Sequence, residues 1–223
     1  MSTIASQISE FNVGFTEQVG PRLASVFATE QNDLVAGGIP TDAVVVGSEA
    51  PNARLVDATG AEVNLFDEIG DAPAVLVFYR GAWCPYCNIT LKHYQQALLP
   101  ELQQRGVRLV AISPQTPDGS AAAVANNELT FTVLSDPSNL LSRELGILTE
   151  PSAEARAAHT DLGFDVADSN ADATGDIPFP TVLIIDSKRT VTFADVHVDY
   201  TTRTEVAEIL TSVDTLVARA DAS

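Results

Sequence analysis

Residues 78–91 read Phe-Tyr-Arg-Gly-Ala-Trp-Cys-Pro-Tyr-Cys-Asn-Ile-Thr-Leu. They overlap the end of Ala74–Tyr79, a continuous apolar run of the kind that forms a strand buried on both faces. Beyond Gly81 the apolar positions Ile89, Tyr94, Leu98 and Leu102 return at helical spacing, with Pro100 as a predicted kink. The stretch therefore predicts a buried strand, a short loop, and a helix opening at Cys84 and Cys87. No other cysteine occurs in the chain. A spacing of three places both sulfurs on one side of the first helical turn, close enough to close a disulfide. Pro85 suits the first helical position, and the helix geometry favours Cys84 for exposure. Free N–H groups and the positive end of the helix dipole there favour a thiolate, so a depressed pKa is expected for Cys84. A cysteine pair set directly after a buried strand reads as a redox site rather than as apolar filler.

On either side of this stretch the pattern alternates. Residues 1–45 form a helical preface: Ile8, Phe11, Phe15, Val19, Leu23, Val26 and Phe27 recur at spacings of three and four, interrupted at Gly20-Pro21. Gly37-Gly38-Ile39-Pro40 marks the entry to a main domain, residues 46–223. Leu55–Asp57 and Glu62–Asn64 suggest a hairpin around Ala58-Thr59-Gly60. After the cysteine helix come a buried strand at Val107–Ile112, a helix near Gly119–Asn127, a strand at Thr130–Leu134 and a helix at Ser138–Leu145. Asp165–Asp176 is polar and acidic and reads as a surface loop. Val182–Ile185 and Val191–Val196 flank a short turn and so form an antiparallel pair. Val206, Ile209, Leu210, Val213, Leu216 and Val217 make one stripe of a last helix. The order predicts an α/β fold with a mixed central sheet, helices on both faces and an N-terminal helical extension.

The chain has 30 acidic and 12 basic residues, a formal charge of −18. That balance excludes a role gripping nucleic acid or anionic membrane surfaces, where Lys and Arg supply the affinity. No stretch approaches the ~18 apolar residues of a membrane span, and the N-terminus shows neither a basic region nor an apolar run, so a cytoplasmic location is expected. The acidity fits either adaptation to high salt or a plain solubilising surface. Two cysteines build neither a disulfide framework nor a four-ligand zinc site. There is no glycine-rich phosphate loop and no ligand cluster, so no metal, flavin or nucleotide cofactor is expected. Asp195, His197 and Asp199 alternate along a strand end, a pattern more often solvated than metal-binding. His93 reads as filler, and His159 has no legible role. The apolar stripe of residues 1–40 must be covered by its own domain or by a second subunit, which makes a homodimer one candidate assembly.

Several stretches carry a family resemblance. Trp83-Cys84-x-x-Cys87 after a Phe/Tyr-ended strand resembles the active-site turn of thioredoxin, and Cys-Pro-Tyr-Cys resembles glutaredoxin. Residues 78–91, Leu109–Thr116, Leu134–Pro137 with Leu145-Gly146-Ile147, Phe179–Asp186 and Ala194–Thr202 are, in that order, similar to the peroxiredoxin-like (alkyl hydroperoxide reductase/thiol-specific antioxidant) branch of the thioredoxin superfamily. The resemblance implies a thioredoxin-like fold and a thiol-dependent peroxidase. Such an enzyme reduces hydrogen peroxide or alkyl hydroperoxides through the Cys84/Cys87 pair and is regenerated by thioredoxin or glutathione. A thioredoxin- or glutaredoxin-like thiol–disulfide oxidoreductase and a non-catalytic redox sensor are the alternatives. The peroxiredoxin frame makes Cys87 the attacking residue, with Cys84 at the usual threonine. The thioredoxin frame makes Cys84 the nucleophile. Peroxiredoxins usually carry a proline where this chain has Arg80, and an arginine where it has Pro180, so Arg80 is the candidate to supply the thiolate-stabilising guanidinium. Pro180-Thr181 resembles the cis-proline loop that faces the cysteine pair, and with Trp83 these residues are candidates for substrate contact.

Overall fold

The computed structural model describes residues 2–221, with side chains through residue 219. The chain opens with α1 (Ile4–Gly37), whose two arms meet where Gly20 takes φ 79° and ψ 158° ahead of Pro21. The first arm buries Ile4 and Ile8 in the main core, and the second packs Leu23 and Phe27 against Ala158. Most of the apolar stripe of the preface thus packs on its own chain, with Phe15 and Val19 left half-buried.

A hairpin follows, β1 (Arg54–Asp57) and β2 (Glu62–Asn64), then α2 (Leu65–Ile69). Next comes β3 (Ala74–Phe78), every residue of it buried as its apolar run requires. The cysteine helix α3 (Pro85–His93) passes through a π-helical turn at Tyr94–Leu98 into α4 (Leu99–Gln104). Pro100, which has no N–H to donate, stands in the first turn of α4, and the widened π turn lies just ahead of it. The chain continues through β4 (Arg108–Ser113), α5 (Pro117–Asn127), β5 (Thr132–Ser135) and α6 (Leu140–Glu144). The segment before the last strands holds β6 (Leu148–Thr149), α7 (Ala153–Asp161), α8 (Val166–Ser169) and β7 (Ile177–Pro178). It ends with β8 (Thr181–Ile185), β9 (Val191–Val196) and α9 (Val206–Asp221).

The main sheet runs β2-β1-β5-β4-β3-β8-β9. Strands β3, β4 and β5 are parallel, and β8 lies antiparallel to β3. Side chains of β3 alternate between two cores: Val75 and Val77 face Leu91, Tyr94, Ile209 and Val213, whereas Leu76 and Phe78 face Leu65, Ile69 and Leu141. The register pairs Phe78 with Thr181, so Pro180-Thr181 sits beside the exit of β3 and therefore beside the cysteine loop.

One expectation about the elements needs correction, and one element is new. Asp165–Asp176 is more than a surface loop, because it contains α8, buries Val166 and Asn170, and donates from Asn170 Nδ2 to the carbonyls of Thr174 and Asp176. Helix α7 was not foreseen at all: its buried face consists of Ala155, Ala158 and His159, too little apolar mass to register as a stripe.

Candidate active site

Cys84 is the N-cap of α3, and its carbonyl accepts from the N–H groups of Cys87 and Asn88 at 3.1 Å each. The loop ahead of it is pinned from outside the helix. Gln115 Oε1 accepts from Ala82 N at 2.7 Å, Asn88 Nδ2 donates to the Ala82 carbonyl at 2.7 Å, and Asn127 Nδ2 donates to Asn88 Oδ1 at 3.0 Å. Both cysteines are free and 1 % exposed, so the greater exposure expected for Cys84 is absent.

The two thiols are within hydrogen-bonding reach of each other and have opposite tendencies. Burial, and then its role as donor to Cys87, push the Cys84 thiol well above its ordinary range. Its side chain makes no capping bond to the helix N–H groups, which is why the expected depression of Cys84 fails. Burial also works against a charge on Cys87. There it is outweighed by the bond from Cys84, the Arg203 guanidinium, the Arg80 backbone N–H and the Arg80 charge, which together bring Cys87 down to about 5. The bond from Cys84 and the two arginines thus all favour a charge on Cys87 over one on Cys84.

Arg203, which sequence reasoning missed, donates from Nη2 to Cys87 Sγ at 3.4 Å. Its Nη1 is held by the Tyr200 and Thr202 carbonyls at 2.5 and 2.6 Å. The loop carrying it is fastened on several sides. Tyr94 from the π turn donates to the Thr204 carbonyl at 2.6 Å, Thr204 Oγ1 donates to Asp195 Oδ2 at 2.8 Å, and His197 N donates to the Pro180 carbonyl at 2.9 Å. His197 Nε2 also meets Asp195 Oδ2 at 2.9 Å, and this bond comes first among the contacts that lower the Asp195 carboxyl. Asp195 and His197 thus brace the arginine loop, and among the described residues no group of three His, Cys, Asp or Glu side chains could hold a metal. Asp199 accepts from Thr201 within the same loop.

Arg80 is close to the pair but differently placed. Its guanidinium lies 4.1 Å from the ring centroid of Tyr200 and 5.0 Å from that of Trp83, an ordinary cation–π arrangement. Among the described residues it has no carboxylate partner. Trp83 packs on His159 and Phe164, with centroids at 5.6 and 5.5 Å. His159 stacks on Phe27 from α1, and burial drives its imidazole down to about 4. His93 is buried and bonded to Gln7 at 2.9 Å.

Pro180 does not form a cis peptide; among the described residues there is none. Its trans bond leaves it where the register of β8 puts it, lining a small cavity with Thr181, Tyr94, His197, Arg203 and Cys87. That cavity has room for about one water molecule.

The AhpC/TSA family model matches residues 46–194. The chain belongs to the AhpC/TSA family. Peroxiredoxin Bcp of Escherichia coli is 30 % identical over 106 residues, covering 48 % of this chain and 67 % of that protein. Thiol-disulfide oxidoreductase ResA of Bacillus thuringiensis is 27 % identical over 109 residues, 48 % of this chain and 61 % of that one. The chain therefore spans about three fifths of ResA's length. Peroxidoxin BcpB of Mycobacterium tuberculosis shares the fold with a TM-score of 0.56 at 21 % identity, over 78 % of this chain and 96 % of that one. Reduced Prx3 of Vibrio vulnificus does so with a TM-score of 0.60 at 20 % identity, over 76 % and 99 %.

In this AhpC/TSA member the guanidinium at the thiolate comes from the loop between β9 and α9. The signal in the sequence was slight: one of only 12 basic residues, placed directly after the matching stretch Ala194–Thr202. The polar roles of Tyr94 and Gln115 carried no signal of their own, since each meets a backbone group far along the chain.

Proposed function

We propose that this AhpC/TSA protein is a thiol-dependent peroxidase in which Cys87 attacks first. The observation that carries the reading is the Cys87 sulfur bonded by Arg203, beside a small cavity, with the Cys84 thiol in contact. The Cys87 thiolate attacks one peroxide oxygen, the S–O bond forms, the O–O bond breaks, and hydroxide or alkoxide leaves and takes up a proton. Cys84 then attacks the sulfenic sulfur of Cys87, forming the disulfide and releasing water with its own proton. An external thiol, thioredoxin or glutathione, restores both thiols by exchange. The Pro180-Thr181 edge bounds the peroxide side of the site, and Trp83 and Arg80 wall the other side. A cytoplasmic setting, where thiols are kept reduced, suits this cycle, and a homodimer is compatible with it because both cysteines come from one chain.

Hydrogen peroxide consumption by wild type, Cys84→Ser and Cys87→Ser tests the order. Cys87→Ser should be inactive, while Cys84→Ser should accumulate a sulfenic acid on Cys87 that a sulfenic-acid probe captures for mass spectrometry. Capture on Cys84 instead would reverse the assignment. A second reading, thiol–disulfide oxidoreductase, draws on the similarity to ResA. Reduction of insulin without peroxide consumption would select it, and reversible disulfide formation with neither activity would leave a redox sensor.

A further inference from the structure

The two cysteines border two different spaces. Cys87 lines the small cavity beside Arg203 and Thr181. Cys84 forms part of the wall of a second, larger pocket of about 350 Å³ on the other side of the pair. That volume is in the range of small-molecule sites. Its walls are strongly aromatic: Phe15 and Phe27 from α1, His159 from α7, then Trp83, Phe164 and Tyr200. In a chain of charge −18 no carboxylate lines it, and Arg80 is its one formally charged residue among those described. His159 is neutral at physiological pH because burial opposes its protonation.

We propose that this pocket receives the reducing thiol, that the thiol attacks Cys84, and that it is a low-molecular-weight thiol bearing an apolar or aromatic group. The inference rests on the Cys84–Cys87 disulfide of the proposed function. Opening that disulfide requires an external sulfur in line with the S–S bond, and this pocket is the larger of the two spaces that the cysteines border, on the Cys84 side. The incoming thiolate bonds to the Cys84 sulfur, the S–S bond breaks, and the electron pair leaves on Cys87. Departure is favoured there because Cys87 is the more acidic thiol and Arg203 receives its charge. A second thiol attacks the small-molecule sulfur of the mixed disulfide. This releases a small-molecule disulfide and leaves Cys84 to take up a proton. Two thiols are oxidised, and the protein gains two electrons.

Installing the disulfide in the full chain with diamide makes the test independent of peroxidase activity. If peroxide fails to oxidise the protein, the proposed function falls while this inference can still be measured. Reduction rates are compared for benzyl mercaptan, 2-mercaptoethanol, glutathione and thioredoxin, each corrected for its thiolate fraction. Benzyl mercaptan should exceed 2-mercaptoethanol on the order of tenfold, because a phenyl ring leaves water on binding. Phe15→Ser should erase most of that margin, and Phe15→Leu should keep part of it. With dibenzyl disulfide, and with each rate corrected for the thiolate fraction of the attacking cysteine, Cys87→Ser should form the mixed disulfide at Cys84, and Cys84→Ser should react at least tenfold more slowly at Cys87 (roughly the same margin). Equal rates for the two small thiols, mixed-disulfide formation that is still faster at Cys87 after correction for thiolate fraction, or thioredoxin acting faster than benzyl mercaptan and unaffected by Phe15→Ser would each overturn the proposal. The wild-type rates and the site of the mixed disulfide decide it even if Phe15→Ser does not fold.

Discussion

At the scale of single residues, the field around Cys87 is assembled from two arginines with different tasks. Arg203 touches the sulfur, and Arg80 acts through space while stacked on Tyr200 and Trp83. A thiol held at about 5 instead of its ordinary 9.0 is ionised across the neutral range. Peroxide attack should therefore be flat near neutrality and fall as pH drops through about 5. Arg203→Ala should move that inflection upward, so that the rate near pH 7 falls, roughly tenfold for each unit of displacement beyond neutrality. Arg203→Lys should recover part of it, and Arg80→Ala should displace it less. Thiolate absorbance against pH, measured beside the rate, checks all three. The same depression links to stability. Between about 5 and 9.0 an unfolded Cys87 holds a proton that the folded one lacks. Its contribution to the reduced protein is accordingly complete above 9.0 and lost as pH falls toward about 5.

At the scale of elements, α1 closes the aromatic pocket. It does so because its arms change direction at Gly20-Pro21 and because Glu205 accepts from the Ile4 and Ala5 N–H groups at its start, at 3.1 and 2.8 Å. Gly20 sits at φ +79° with nothing near an added Cβ, so Gly20→Ala should cost about 1 kcal/mol from backbone conformation alone. Gly146 follows α6 at φ +65°, and a Cβ there would lie 2.3 Å from the Asp42 carbonyl oxygen. Gly146→Ala must also displace backbone and should cost more, roughly 2–4 kcal/mol. Denaturant midpoints of the two variants against wild type measure the difference; equal losses would contradict the steric account. The elements themselves were legible where apolar mass was concentrated: β3, β4, β8 and the stripe of α9 fall within a residue or two of their expected bounds. Helix α7 escaped because alanines and a histidine make its buried face, and α8 because one buried valine sits in an acidic stretch.

At the scale of the molecule, the charge of −18 is barely offset by ion pairing. Among the described residues Arg22–Asp161 at 2.6 Å is exposed on both sides and Arg143–Asp176 at 3.1 Å at the arginine, while the two pairs of Arg105 are half-buried at the arginine; exposed pairs contribute little. Self-repulsion should therefore dominate the salt response. Raising KCl from roughly 0.05 M to roughly 1 M shortens the screening length to about 3 Å and should raise the thermal midpoint by several degrees. A falling midpoint would mean that net attraction, not repulsion, governs the surface.

The sequence by itself determined the local matters: a buried strand delivering two cysteines to a helix start, the alternation that makes a mixed α/β sheet, and an acidic surface unsuited to nucleic acid. Each follows from residues adjacent in the chain, through periodicity, backbone chemistry or summed charge. Tertiary structure decided which sulfur carries the charge and which space each sulfur meets. Arg203 lies 116 positions from Cys87 and comes within 3.4 Å of it only because Tyr94, Asp195 and the Pro180 carbonyl fasten its loop. The aromatic pocket beside Cys84 exists only where α1 and α7 meet next to the cysteine loop. Electrostatic and packing energies depend on distance through space, and sequence separation carries almost no information about that.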